Sequence, residues 1–584
     1  MKQLGCQQIA RRGRVWSVIA LLLFLALGAR LWSIQIVHHA HYDGQAKSRR
    51  GRRWPIHAPR GNIYDREGTP LALNLKLFSV AADPGLIAHS SELAAQLAPL
   101  LRMPKQRLED KLAAEEGVRY VRLRESVDTP TAEAVRGLGH HGLIVDTQWR
   151  RAYPHRKLAA PVVGFTGRDR IGLSGVERAL NEHLAGIDGE MMVVLDGRLP
   201  RSRDQIPGRT VVTKQMIPGS SVFLTIDLNI QAIVEDELAK AITTSKAVGG
   251  TAIVMNPING EVLALATHPS FDPNEFWRYP EHTWVSPAVA SPFEPGSTFK
   301  LITACAAIEE AISRQTYQCT GSRAVGRHRI KCPVHEGKRD HGHVDLDHMV
   351  IRSCNTGIAT VALALGPKRM YYWARRFGFG EKTGFELAGE SRGILPPPDT
   401  WSQIRVATTG FGQGVSVTPL QLLAAYCTVA SGGWRVHPRL VKAIADPTGR
   451  IESPPRPKTE RILSAATCEH MRAVLEKAVE EGTGQQARIP GRRVAGKTGT
   501  AQKPTRKQGF LSGKYVASFA GFAPADHPRL AVLVVIDEPQ NGHYGGAVAA
   551  PVFRAICERS LTYLRVPPDA PAPGLNLALA GREG

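Results

Sequence analysis

Three short strings fall in one order along the chain: Ser297-Thr298-Phe299-Lys300, then Ser353-Cys354-Asn355, then Lys497-Thr498-Gly499-Thr500. Each alone is weak, since an S-x-x-K arises by chance roughly twice in a chain of this length and a K-T-G roughly once in ten such chains. In order, with Pro295-Gly296 just before the first and a strand-like stretch carrying the third, they require a fold that brings a helix start, a loop and a strand edge together.

The residue types say what such a meeting point can do. Pro295-Gly296 breaks structure, and Leu301, Ile302, Cys305, Ile308 and Ile312 follow at helical spacing, which predicts that Ser297 opens a buried helix running to Ile312. Ser297 and Lys300 then share one face of its first turn. A serine hydroxyl is a poor nucleophile until a base takes its proton, and a lysine serves as that base only when its pKa is depressed. The helix N-terminus and Lys497 are both expected to depress that of Lys300. Ser353 suits a proton relay to a leaving amine, and Asn355 an amide grip on a peptide backbone. Lys497 with the hydroxyls of Thr498 and Thr500 suits a terminal carboxylate, and Gly499 is expected to let a substrate backbone lie close to the strand. Backbone N–H groups of Ser297 and Thr500 would form an oxyanion hole.

The flanking sequence predicts the scaffold. Ala252-Ile253-Val254-Met255 and Val262-Leu263-Ala264-Leu265-Ala266 are apolar runs joined through Asn259-Gly260, a hairpin signal. Residues 515–522 and 530–536 read as two further strands across the turn-forming Pro524-Ala525-Asp526-His527-Pro528, with a helix over residues 548–564. Strands from both ends of the segment around a helical middle predict an α+β domain: one antiparallel sheet closed by both termini and flanked by helices.

The S-x-x-K, S-x-N and K-T-G set is that of serine β-lactamases and penicillin-binding proteins. From about residue 220 to 564 the chain resembles the transpeptidase domain of the class B penicillin-binding proteins. Glu294-Pro295-Gly296-Ser297-Thr298-Phe299-Lys300, Gly410-Phe411-Gly412-Gln413-Gly414 with Thr418-Pro419-Leu420-Gln421, and Tyr544-Gly545-Gly546-Ala547-Val548-Ala549-Ala550-Pro551-Val552-Phe553 resemble its septal, FtsI-type branch. Arg60-Gly61-Asn62-Ile63-Tyr64-Asp65-Arg66 with Pro70-Leu71-Ala72, and Gly172-Leu173-Ser174-Gly175-Val176-Glu177, are similar to the elongated pedestal, or dimerisation-type, domain of that family. The resemblance implies a peptidoglycan D,D-transpeptidase of septal wall synthesis. Ser297 would attack the penultimate D-Ala carbonyl of a stem peptide, D-alanine would leave, and a neighbouring stem's amine would resolve the acyl-enzyme. β-Lactams would stall the second step. It implies no cofactor for catalysis, and as partners a SEDS-type membrane glycan polymerase and other division proteins.

At 584 residues the chain has room for several domains. Residues 15–37 are apolar apart from Arg30, Ser33 and Gln35 and long enough to span a bilayer. No small-residue cleavage site follows, so an anchor is expected rather than a signal peptide. The expected organisation is a cytoplasmic tail over 1–14, a transmembrane helix over 15–37, a pedestal over 38–220, a transpeptidase domain over 221–565 and a disordered tail over 566–584. Lys2, Arg11, Arg12 and Arg14 precede the span while Lys47, Arg49, Arg50, Arg52 and Arg53 follow it. Charge counting therefore leaves orientation open, and the readiness of long domains to translocate favours an extracytoplasmic catalytic domain on the inner membrane. The net charge of +22 raises nucleic-acid binding, but no such motif is present and the basic residues are scattered outside 47–53, a cluster that suits anionic lipid headgroups.

Other acyl-serine classes fit less well. A β-lactamase is usually a smaller soluble enzyme. A penicillin-sensing receptor would have only residues 1–14 and no H-E-x-x-H with which to signal, and a glycosyltransferase domain has no room beside the pedestal. An elongation-branch transpeptidase remains the alternative.

Of eight cysteines, Cys6 lies before the span and Cys305, Cys427, Cys468 and Cys557 sit in apolar helical contexts. Cys319, Cys332 and Cys354 differ, because His335, His341, His343 and His348 lie among them. A disulfide between Cys319 and Cys332 suits an oxidising compartment. Cys319, Cys332, His341 and Cys354 would instead supply the three thiolates and one imidazole of a structural zinc site; the loop His341-Gly342 before Ser353 resembles a metal-binding feature of some elongation-branch relatives, and free thiols are the third alternative.

Overall fold

The computed structural model describes residues 2–42, 51–113, 118, 120–195, 205–313, 316–333, 339–455, 459–503 and 513–569. Residues 47–50 of the basic cluster, His335 and the tail from residue 570 lie outside these. The chain forms two compact units: residues 1–59, 76–149 and 186–218 make one, and residues 60–75, 150–185 and 219–584 the other.

The first unit carries the apolar N-terminal helix, Lys2–Trp32. With the turn that follows, residues 11–37 are long and apolar enough to cross a membrane. The strands Gly51–Ile56, Gly189–Leu195 and Gln205–Lys214 form a three-stranded antiparallel sheet. A second core gathers Phe78, Val80, Leu93, Leu97, Leu101, Leu108, Leu123 and Val135, where the helices Ser90–Leu101 and Lys105–Leu112 cover paired extended chain.

The second unit is built on a five-stranded sheet. We label its strands β1 (Gly249–Met255), β2 (Val262–His268), β3 (Ala495–Gln502), β4 (Tyr515–Ala523) and β5 (Leu530–Asp537). Their order is β2-β1-β5-β4-β3, antiparallel throughout, so the strand carrying Lys497-Thr498-Gly499-Thr500 is an edge. Its main helices are α1 (Leu228–Ser245), α2 (Lys300–Glu309), α3 (Asn355–Arg376), α4 (Pro419–Ala430), α5 (Ala465–Glu480) and α6 (Ala550–Tyr563). Alternation along the strands assigns the two faces. Val254, Val532, Val534 and Phe519 share a core with Ile230, Val234 and Leu238 of α1 and with Phe553, Ile556 and Leu561 of α6. Ile253, Leu533, Val535 and Ala520 face the opposite core, with α4, every residue of which is buried.

The helix expected from Ser297 to Ile312 is shorter and begins differently. Gly296–Phe299 is a 3-10 turn, α2 starts only at Lys300, and it ends at Glu309. Thr298 Oγ1 donates to Pro295 O at 2.7 Å and the buried Tyr426 of α4 donates its hydroxyl to Thr298 O at 2.9 Å, which claims a carbonyl that an α-helix would use. Ala311, with φ of 55°, ends the other side.

The two N-terminal strings meet within this unit through one carboxylate. Glu177, fully buried, accepts from Arg60 Nε at 2.5 Å, from Arg151 Nε at 2.6 Å and from Tyr153 Oη at 3.3 Å. Arg60 also donates Nη2 to Glu177 O at 2.7 Å and Nη1 to Asn181 Oδ1 at 2.8 Å. Gly172 is needed because any Cβ there would lie 1.8 Å from Glu177 O. Both guanidinium side chains are at least nine-tenths buried, so each depends on Glu177 for its counter-charge. Glu177→Gln should therefore destabilise this unit by about 3–5 kcal/mol, read as a fall in denaturant midpoint; an unchanged midpoint would show the network to be dispensable.

Candidate active site

The 3-10 turn leaves Ser297 half-buried at the wall of a cleft of about 440 Å³ while Thr298 and Phe299 turn inward. Gly296 N donates to Gly412 O at 3.1 Å and Gly414 N to Glu294 Oε1 at 2.9 Å, so the G-F-G-Q-G string clasps the nucleophile turn and brings Gln413 to the cleft.

One turn on, Lys300 is completely buried. Its Nζ donates to Ser353 O at 2.6 Å, Ser353 Oγ at 3.0 Å and Asn355 Oδ1 at 2.8 Å, which uses all three ammonium hydrogens. Ser353 Oγ lies 2.9 Å from Ser297 Oγ. The described contacts thus join Ser297 to Lys300 through Ser353, with no direct hydrogen bond between the two among them. Ser353 is held in the left-handed region, φ 59°, immediately before Cys354 caps α3 by accepting from Gly357 N at 3.3 Å.

Lys497 is the second buried lysine, 1% exposed. Its Nζ donates to Thr483 Oγ1 at 3.0 Å and Thr498 Oγ1 at 3.2 Å, and those hydroxyls lie 2.7 Å apart. Burial depresses Lys300 to a pKa of about 8. Burial, followed by the charge of Lys300, holds Lys497 well below the ordinary lysine range. Desolvation is the first cause of the depression of Lys300, as burial of such a lysine leads one to expect, and the repulsion between the two lysines falls on Lys497.

Thr498 and Thr500 border the cleft, and Thr500 Oγ1 accepts from Gly545 N at 3.0 Å. Gly499 has a packing reason of its own. A Cβ there would meet Ser518 Oγ at 2.3 Å and Pro295 O at 2.9 Å, so its absence lets β3 approach the turn that carries Ser297. Sequence reasoning missed Thr483, which lies between two glycines in the turn after α5. Only the packing of α5 beside β3 brings it to Lys497.

Behind Ser353 and Asn355, Cys319, Cys332, His341 and Cys354 gather with all ligand atoms within 4.8 Å of one another. The thiols are free. Cys332 Sγ lies 3.8 Å from both Cys319 Sγ and Cys354 Sγ, and His341 Nδ1 lies 3.3 Å from Cys319 Sγ. A tetrahedron with Zn–S near 2.3 Å and Zn–N near 2.0 Å has S···S edges of about 3.8 Å and S···N edges of about 3.5 Å, so the donor set fits zinc in size as well as chemistry. The hydrogen bond from Cys354 pulls the Cys332 thiol down, and Cys332 in turn raises His341. Thr356 Oγ1 lies 3.2–3.4 Å from all three sulfurs, a partner able to fix thiolates in place.

Comparison with known proteins agrees with this geometry. Residues 250–558 match the family described as penicillin binding protein transpeptidase domain, and residues 55–224 the penicillin-binding protein dimerisation domain. The chain is 34% identical over 561 residues to stage V sporulation protein D of Bacillus subtilis, covering 94% of this chain and 85% of that one. It is 32% identical over 564 residues to the peptidoglycan D,D-transpeptidase FtsI of Escherichia coli K12, covering 95% and 92%. Among solved structures, penicillin binding protein 3 of Mycobacterium tuberculosis in complex with aztreonam aligns with a TM-score of 0.69 at 31% identity, covering 89% of this chain and 99% of that one.

Proposed function

This chain belongs to the class B penicillin-binding proteins and is a peptidoglycan D,D-transpeptidase, and we propose that it cross-links stem peptides at the division septum through an acyl-enzyme on Ser297. The observation that carries the catalytic assignment is the line Ser297 Oγ, Ser353 Oγ, Lys300 Nζ at 2.9 and 3.0 Å. With Lys300 neutral, its lone pair takes the Ser353 proton as Ser353 takes that of Ser297, and Ser297 Oγ attacks the penultimate D-Ala carbonyl. The backbone N–H groups of Ser297 and Thr500 receive the oxyanion. The proton returns through Ser353 to the departing D-alanine amine. A neighbouring stem's amine then enters, gives its proton to the same line, and displaces Ser297 to form the new amide. Lys497, Thr483, Thr498 and Thr500 receive the terminal carboxylate, which β-lactams share, and Asn355 aligns the donor backbone. No cofactor enters this chemistry.

Ser297→Ala should abolish labelling by fluorescent penicillin without shifting the unfolding midpoint, and Lys300→Ala should slow acylation at least about 100-fold. Lys300 acts as a base only when neutral. With its pKa depressed to about 8, acylation should rise with pH and level off above about 8, while a profile flat from pH 6 to 10 would remove Lys300 as the base.

Septal use is supported by the string from Tyr544 to Phe553 and by the one helix among the described residues that is able to span a membrane; on this reading residues 38–220 are the pedestal and the catalytic domain lies outside. A SEDS-type glycan polymerase and other division proteins are the partners this reading expects. The Cys/His set favours the elongation branch as a second reading. Depletion should yield filaments with unfinished septa, whereas round cells dividing at normal frequency would favour the second reading.

We further propose that Cys319, Cys332, His341 and Cys354 hold a structural zinc that, when bound, supplies four ligand bonds tying the loop to the start of α3. The purified protein should carry about one zinc per chain, and His341→Ala should lower thermal stability and acylation together. A zinc-free, fully active protein, or recovery of Cys319 and Cys332 as a disulfide, would exclude it.

A further inference from the structure

Two cations at the mouth of the catalytic cleft have no part in the reaction described above. Lys331 ends the short strand His328–Lys331, and Arg339 lies on the same rim. Both are exposed. Asn355 Nδ2 donates to Lys331 O at 3.1 Å, so Lys331 sits beside the S-x-N loop and not beside the edge strand of Lys497. Arg339 donates Nη1 to Cys332 O at 2.8 Å, which holds its guanidinium against that rim. Neither residue forms an ion pair among the described residues, although Asp340 is the next residue in the chain. No aspartate or glutamate is among the described residues bordering the cleft.

A concave site with cations at its mouth and no acid among its described lining residues concentrates anions. The terminal carboxylate of the donor is already accounted for by Lys497, on the strand side. Lys331 and Arg339 stand on the opposite side, beside the residue that aligns the donor backbone. A guanidinium and an ammonium on one rim suit a carboxylate on the chain leading into the cleft.

Resting on the transpeptidase reading of Ser297, we propose that Lys331 and Arg339 select acyl donors bearing a second, free carboxylate upstream of the D-alanyl-D-alanine terminus, over donors in which that group is amidated.

Benzylpenicillin and carbenicillin differ by one carboxylate on the acyl side chain, and their acylation rate constants on the full-length protein in detergent give the selectivity directly. The wild-type ratio of carbenicillin to benzylpenicillin should fall about tenfold in Lys331→Gln/Arg339→Gln, as expected for the loss of charge-assisted hydrogen bonds at a solvent-exposed rim. Lys331→Arg should retain it, and added salt should lower it in the wild type. Pentapeptide donors carrying a carboxylate or a carboxamide at the second or the third residue then identify which group is read. Equal slowing of both penicillins in the double variant, or indifference of the wild type to amidation at both positions, would overturn the inference. Failure of carbenicillin alone would overturn the inference, and failure of both penicillins to acylate the wild type would remove the Ser297 reading and this inference with it.

Discussion

Two buried lysines, near enough for the charge of one to act on the other, are the constraint on which the rest of the site depends. An isolated ammonium is costly to take out of water, and a second one nearby more so. The surrounding structure answers with oxygens. Ser353 O, Ser353 Oγ and Asn355 Oδ1 fill every hydrogen of Lys300, and two threonine hydroxyls serve Lys497. Those acceptors come from the loop before α3, from the turn after α5 and from β3 itself, so burying the lysines correctly requires the whole middle of the domain to close on the sheet edge.

The loop before α3 bears the greatest load. Ser353 is left-handed, supplies two of the three acceptors of Lys300 and touches Ser297. Such a backbone position costs of order 1 kcal/mol or more and persists only where neighbours over-determine it. Cys354 does so from behind, as the cap of α3 and as a member of the Cys/His set. One tripeptide therefore carries catalytic contacts on its flanking residues and an anchoring contact on its central one. This explains why the anchoring residue lies inside a catalytic motif.

Much of this was legible in the sequence because local chemistry and periodicity both pointed to it. The strands β1, β2, β4 and β5 are apolar runs bounded by turn residues, and their boundaries fall within three residues of the expected ones. The four-residue Cys/His set was legible from residue type alone. What sequence could not give depends on distant partners. The 3-10 turn at Ser297 exists because Tyr426, far along the chain, takes the Thr298 carbonyl. Thr483 has no motif of its own, and its meeting with Lys497 is decided by how α5 packs. Gly499 was legible as a glycine but not for its packing reason, since the atoms that occupy its Cβ space belong to Ser518 and to Pro295.

The same physics bears on the order of events on the proposed reading. Catalysis asks for opposite states of two similar groups: Lys300 neutral to accept a proton, Lys497 charged to hold a carboxylate. In the free protein burial opposes both charges, and the repulsion from Lys300 falls on Lys497. Such a wall tolerates one charge more readily than two. On the proposed reading an entering carboxylate touches Lys497 and stabilises its ammonium. Charging Lys497 then penalises charge on Lys300, whose proton is given up at the moment a substrate is in place. The base is thereby readied by the same group that positions the substrate, and the nucleophile stays poorly activated while the cleft holds only water.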